Sequence, residues 1–160
     1  WVPTFPNAKY LFAKDEWAFW EAEYETEGFT DDPYYEDSIL PIIAAGRAVL
    51  VDSDHTIDDW VHLEPSPGHT PGHLCIQIAS GQSHAVMSGD LMHHPVQCAE
   101  PDWNSCFCVD SAASAATRRA FLETHSGTPT LVMPAHFPTP GAGRIIEAQG
   151  AWRFLFSDEF

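Results

Sequence analysis

Two histidines lie four residues apart in the segment 65–78, which reads PSPGHTPGHLCIQI. On a helix this spacing would place both rings on one face, where they could bind one metal ion together. Proline and glycine surround both rings here, so the sequence instead predicts a turn that leads into a strand. His69 then lies at the mouth of that strand on a rigid loop, which is the kind of mount that a metal ligand requires.

Two further side chains that can bind metal occupy similar positions. Asp90 ends a short apolar strand that closes with glycine, and His136 follows another such strand within the proline-framed loop 134–138. Strand ends lie along one edge of a sheet, so His69, Asp90 and His136 can converge there. Imidazole and carboxylate suit zinc and related transition metals. The alternative is that these three side chains are ordinary polar surface.

The segments around these residues predict strands and helices in mixed order. Apolar and β-branched runs predict strands at 9–13, 48–51, 60–63, 73–79, 84–90 and 130–133, and a closing hairpin from 143–148 and 151–156. Helical patterns cover 15–23, 32–45 with a kink or break at Pro41, and the alanine-rich stretch 111–125. The sequence therefore predicts an α/β fold of layered α+β type, in which a mixed sheet has flanking helices.

Composition narrows the class of protein. The chain has 160 residues and 17.7 kDa, which predicts a single domain over 1–160. Its formal charge of −16, from 23 acidic and 7 basic residues, argues against nucleic acid and anionic membranes as partners. The longest apolar run, 39–45, is interrupted by proline and is too short to span a bilayer. We expect a cytoplasmic protein with reduced thiols.

The cysteines form no CxxC pair. Cys75 lies on an apolar strand, where a small buried hydrophobic residue is expected. Cys106 and Cys108 are separated by one residue, and a zinc site that uses them is an alternative with little support from that spacing.

Three motifs together resemble the second half of the metallo-β-lactamase superfamily pattern. They are PGHTPGH at 67–73, SGD at 88–90 and PAH at 134–136. The opening residues 1–20 also resemble the segment that follows the first metal motif in relatives of methyl parathion hydrolase and N-acyl homoserine lactonases. The resemblance implies the second half of an αββα sandwich.

The same resemblance implies a role for each matching residue. His69 would be a ligand of a first metal, His136 a ligand of a second, and Asp90 the catalytic carboxylate that bridges two divalent ions, most simply zinc. His73 and Thr70 would support these ligands without touching the metal. The two ions would lower the pKa of a shared water, so that hydroxide attacks a small-molecule substrate, favoured here as a lactone or neutral phosphotriester.

Four residues downstream of Asp90 are candidates for the wall of the substrate pocket: His93, His94, Trp103 and Phe107. The alternative for each is an ordinary packed or exposed side chain. The acidic chain accepts an uncharged substrate more easily than a polyanion.

The chain departs from the superfamily pattern in one respect. The HxHxDH motif, which supplies most of the other ligands, occurs nowhere in the 160 residues. We therefore expect a fragment that lacks its N-terminal half and leaves one face of its sheet for a homodimer or a partner chain to cover. The alternatives are a truncated, non-catalytic module for binding or assembly, and an oxidoreductase that uses iron on the same frame.

Overall fold

The computed structural model describes residues 1–27 and 33–159. These residues form two compact units, of which the first spans Trp1–Asp52 and the second begins at Ser53. Both units contain strands and helices, which confirms the predicted mixed α/β class. None of the helices within the described ranges is both long and apolar enough to cross a bilayer.

The first unit contains one parallel strand pair. Strand β1 (Tyr10–Ala13) pairs in parallel with β2 (Ala48–Val51), and this pair is separate from the sheet of the second unit. The sequence predicted a single sheet, so the two-stranded sheet is an addition to that expectation. Helix α1 (Lys14–Glu27) follows β1 directly and carries two acidic residues in its first turn, where they favour the positive end of the helix dipole.

The second predicted helix, 32–45, is divided in the structure. Its first residue lies outside the described residues. A π-helical segment (Tyr35–Ile39) leads into the short helix α2 (Leu40–Ala44), which has Pro41 in its first turn. Proline is tolerated there because the N–H that it lacks would have no partner within the helix. The change of helix type thus occurs where the sequence placed a kink or break.

The second unit contains a six-stranded sheet. Its strands are β3 (Val61–Pro65), β4 (Leu74–Ser80), β5 (Ser83–Gly89), β6 (Leu131–Pro134), β7 (Gly143–Ala148) and β8 (Ala151–Phe156), and they lie side by side in that order. All neighbours are antiparallel except β5 and β6, which run parallel. The predicted hairpins β4–β5 and β7–β8 are both present.

Two helices lie in the connection between the parallel strands. Helix α3 (Val96–Ala99) is only four residues long and has no periodic pattern that predicts it. Helix α4 (Ser111–His125) has the predicted bounds, and the side chain of Asp110 caps its N-terminus by accepting a bond from the N–H of Ala113. One buried apolar cluster joins α4 to the sheet and includes Cys75, Val86, Leu122, Val132, Ile145 and Phe154.

The topology places three loops at one edge of this sheet. Because β5 and β6 are parallel, their C-terminal ends meet at the same edge. Strand β4 is antiparallel to β5, so β4 begins at that edge. The loops that precede β4, follow β5 and follow β6 carry His69, Asp90 and His136, and the fold therefore brings these three residues together.

Candidate functional site

The Asp90 carboxylate lies between two histidine rings. Its Oδ2 is 3.3 Å from Nε2 of His69, and its Oδ1 is 2.9 Å from Nε2 of His136. The side chains are 14% exposed for His69, 36% for Asp90 and 50% for His136. A small solute can therefore reach Asp90 and His136, whereas most of the His69 side chain is buried.

His93 belongs to the same cluster. Its ring is stacked on that of His136 with centroids 4.8 Å apart, and it lies 5.0 Å from the ring of His69. One donor atom each from His69, Asp90 and His93 lies within 4.8 Å of the others. Burial lowers the pKa of His93, against the opposing effect of Asp90, and so favours the neutral imidazole that binds metals. The sequence predicts His93 as a residue of the pocket wall. The sequence feature that pointed to it was its position three residues after Asp90.

His73 contacts the backbone of the central carboxylate. Its Nε2 accepts a hydrogen bond of 3.0 Å from the main-chain N–H of Asp90, so the proton of this ring lies on Nδ1. Nδ1 faces Ser66, at 2.7 Å from the hydroxyl and 3.1 Å from the carbonyl oxygen. Gly89 makes room for this contact, because a Cβ at its φ of +50° would lie 2.8 Å from Nε2. His73 therefore holds the backbone of Asp90 through its ring.

The loop that carries His69 is fixed to the start of α4. The N–H groups of Val109 and Asp110 donate to the carbonyl oxygens of His69 and Gly68, at 2.9 and 3.0 Å. Gly68 has a φ of +136°, and a Cβ there would lie 2.2 Å from the backbone nitrogen of Ser114. Only glycine permits this close approach, which sets the position of the next residue, His69.

Thr70 is buried and closes the same loop. Its carbonyl oxygen accepts from the N–H groups of Gly68 and His73 at 2.9 and 3.4 Å. Its hydroxyl has no hydrogen-bond partner among the described residues. Thr70 thus supports the turn through its backbone.

The other three pocket candidates occupy the loop surface. His94 is exposed, and its Nδ1 accepts a hydrogen bond of 3.1 Å from the N–H of Val96 at the start of α3. Trp103 and Phe107 are 59% and 73% exposed. The structure thus brings His93 into the ligand cluster and leaves His94, Trp103 and Phe107 at the surface.

The donor set fits a divalent ion. Zinc takes nitrogen and oxygen ligands at about 2.1 Å, so tetrahedral ligands lie roughly 3.4 Å apart. The 3.3 Å between His69 and Asp90 already matches that spacing, and a donor atom of His93 lies within 4.8 Å of both. Each oxygen of Asp90 faces a different histidine, so the carboxylate can serve one ion or bridge two.

Comparison with known proteins gives one family match. The family described as the metallo-β-lactamase superfamily matches residues 2–136. No curated protein sequence matches the chain significantly.

Solved structures share the fold. The quorum-quenching dizinc lactonase AidC is 23% identical with a TM-score of 0.77, and the match covers 96% of this chain and 56% of AidC. The hydrolase AbOPH, also 23% identical, has a TM-score of 0.83 with coverage of 95% and 56%. A probable metal-dependent hydrolase from Staphylococcus aureus is 19% identical with a TM-score of 0.65, and the match covers 88% of this chain and 48% of that protein. The chain thus spans about half the length of these proteins, and at these identities the likeness establishes the fold alone.

Proposed function

We propose, on the premise that the chain belongs to the metallo-β-lactamase superfamily, that it carries part of the metal centre of a hydrolase that cleaves an ester-like bond. The observation that carries this proposal is the placement of Asp90 between His69 and His136, with one carboxylate oxygen toward each ring. Superfamily membership supports hydrolysis as the reaction class, and the site supplies the candidate residues.

Each residue has a defined task in this proposal. A bound divalent metal supplies Lewis acidity and lowers the pKa of water, and the nitrogen and oxygen donors favour zinc, with two ions in a complete site. His69 and His136 present their Nε2 atoms toward Asp90. Asp90 holds the centre together and orients the attacking water, while His73 fixes its backbone.

The substrate class that we favour is a lactone or a neutral phosphotriester. A formal charge of −16 opposes the approach of polyanions. AidC, which shares the fold, is described as a lactonase. The exposed rings of Trp103 and Phe107 lie on the loop between α3 and α4 and offer apolar surface to an uncharged substrate.

A second candidate function is a module for binding or assembly without catalysis. The sequence supports it because HxHxDH is absent from the 160 residues, so these residues supply fewer ligands than the superfamily pattern uses. The two candidates differ in a measurable way, since only the hydrolase must turn over a substrate.

The test is metal analysis and an activity assay on the same samples. The wild-type chain would be compared with His69→Ala, Asp90→Asn and His136→Ala, with His84→Ala at an exposed position on β5 as the control. We expect zinc to remain after dialysis in wild type and the control, to be lost in the three variants, and lactone or triester hydrolysis to follow the metal. Metal retention without hydrolysis would favour the binding module. Iron with redox activity would favour an oxidoreductase, and no metal in any sample would contradict the proposed site.

A further inference from the structure

A fully buried cation lies behind the metal-ligand cluster. Arg118 on α4 has no exposed surface. A buried charge must be compensated by polar contacts. Within the described residues its hydrogen bonds go to neutral acceptors: the carbonyl oxygens of Leu91, Pro101 and Trp103, the side-chain oxygen of Asn104 and the hydroxyl of Ser114.

Two routes connect this guanidinium to the candidate ligands. Its Nε donates to the carbonyl oxygen of Leu91 at 3.0 Å, and Leu91 directly follows Asp90 in the chain. Its Nη2 donates to the hydroxyl of Ser114 at 2.9 Å, and that hydroxyl lies 3.4 Å from the sulfur of Cys108. The same sulfur is 4.0 Å from Nδ1 of His69.

The two nitrogens of His69 therefore face different partners. Nε2 lies 3.3 Å from the Asp90 carboxylate, whereas Nδ1 faces the sulfur of Cys108. When Nε2 binds an ion, Nδ1 must carry the proton and needs an acceptor. An acceptor at that position fixes the tautomer and the ring orientation, and makes the imidazole a better ligand.

We propose that Cys108, held in place by Ser114 and Arg118, is the residue that positions His69 for metal binding. This inference rests on the proposed metal centre. Because the Ser114 hydroxyl accepts from Arg118, its own proton can point toward the Cys108 sulfur, and this holds the sulfur in place beside Nδ1 of His69. Cys106, two residues earlier, is exposed and provides a matched control thiol.

The test measures affinity for zinc and cobalt(II) by competition with a chelator. We expect Cys108→Ala to weaken binding by about 10-fold to 100-fold, the range found when an outer partner of a metal-bound histidine is removed. Cys106→Ala should bind like wild type. Cys108→Asp should restore the affinity, because a carboxylate accepts the same proton and suits the nearby guanidinium. Cys108→Val fills the space of the sulfur and lacks the acceptor, so it replaces the alanine variant if that variant fails to fold.

Several outcomes would overturn the inference. Unchanged affinity in both Cys108→Ala and Cys108→Val would show that the sulfur positions nothing. An equal loss in Cys106→Ala would indicate general thiol chelation. A sulfur-to-cobalt charge-transfer band that Cys108→Ala removes would make Cys108 a ligand and not a positioning residue. Wild type without any metal would defeat the proposed function as well, whereas tight binding that ignores Cys108 would defeat this inference alone.

Discussion

The main-chain N–H of Asp90 donates a hydrogen bond of 3.0 Å to Nε2 of His73. The second histidine of GHTPGH thereby holds the backbone that carries the central carboxylate, while His69, the first, faces that carboxylate through its own Nε2. The two rings are 6.0 Å apart and inclined by 75°. On a helix both rings would lie on one face. The proline- and glycine-rich loop instead lets one ring contact the backbone of Asp90 and the other ring face its carboxylate.

Replacement of His73 by leucine should weaken the metal site without removing a ligand. The Asp90 N–H would lose its acceptor, and we expect the free energy of unfolding to fall by about 1–3 kcal/mol. Affinity for zinc should fall by about 10-fold or more because Asp90 is no longer held. Chelator competition and urea unfolding measure the two effects. His62→Leu, at an exposed position on β3, is the control, and zinc affinity unchanged in His73→Leu would refute the supporting role.

Two glycines near the ends of β5 permit a matched test of the space beside His73. Gly81 and Gly89 both have positive φ, at +61° and +50°, but a Cβ would meet nothing within 4 Å at Gly81 and would lie 2.8 Å from His73 Nε2 at Gly89. Alanine at either site should cost roughly 1 kcal/mol of backbone strain. Only Gly89→Ala should also displace His73 and reduce zinc affinity, as thermal unfolding and metal titration would show. Equal zinc affinity in the two variants would contradict the packing argument.

The convergence of His69, Asp90 and His136 follows from features that the sequence displays. Each residue stands at a junction between an apolar run and a glycine- or proline-rich loop, and such junctions can share one sheet edge. Helix α4 could likewise be predicted, from its alanine-rich run and from the Ser126–Gly127 pair that ends it. These features are local, so spacing and composition suffice to predict them.

The placement of His93 and Arg118 depends on packing between distant segments. His93 and His94 are adjacent in sequence, yet only His93 stacks on His136. Arg118 and Arg119 are likewise neighbours on α4, where arginine is ordinarily exposed, but Arg118 is fully buried whereas the side chain of Arg119 is 44% exposed. No local pattern distinguishes the members of either pair, because His136 and the carbonyl oxygens that bind Arg118 lie more than a dozen residues away in the chain.

The two arginines should differ sharply in their contribution to stability. Arg118→Met would leave the buried carbonyl oxygens of Leu91 and Pro101 without their donor, and at about 1–3 kcal/mol for each unsatisfied group we expect the free energy of unfolding to fall by about 2–6 kcal/mol. Arg119 forms an exposed ion pair of 2.7 Å with Asp102, so Arg119→Met should cost less than about 1 kcal/mol. Urea unfolding of both variants at one pH gives the comparison. Similar midpoints would mean that the Arg118 network contributes little.

The C-terminal residue of α4 predicts a pH dependence of stability. His125 is buried against Phe121 with ring centroids 4.4 Å apart, and burial lowers its pKa from the usual 6.5 despite the opposing effect of Glu64. In the unfolded chain the ring takes up a proton near pH 6.5, whereas the folded chain does so only at lower pH. Between these two values the unfolded state binds more protons, so stability rises with pH. The contribution of neutral His125 is therefore complete above pH 6.5 and is lost as the pH falls toward the lower folded pKa.

His125→Asn should remove this dependence. Unfolding free energies of wild type and variant, measured between about pH 7.5 and pH 5.5, should differ most at the upper end and converge toward the lower end, because that range spans the titration of histidine. His84→Asn, at an exposed position on β5, serves as the control and should run parallel to wild type. A constant difference between wild type and His125→Asn across the range would show that His125 titrates alike in the folded and unfolded states. Burial against Phe121 would then not be the force that keeps this ring neutral.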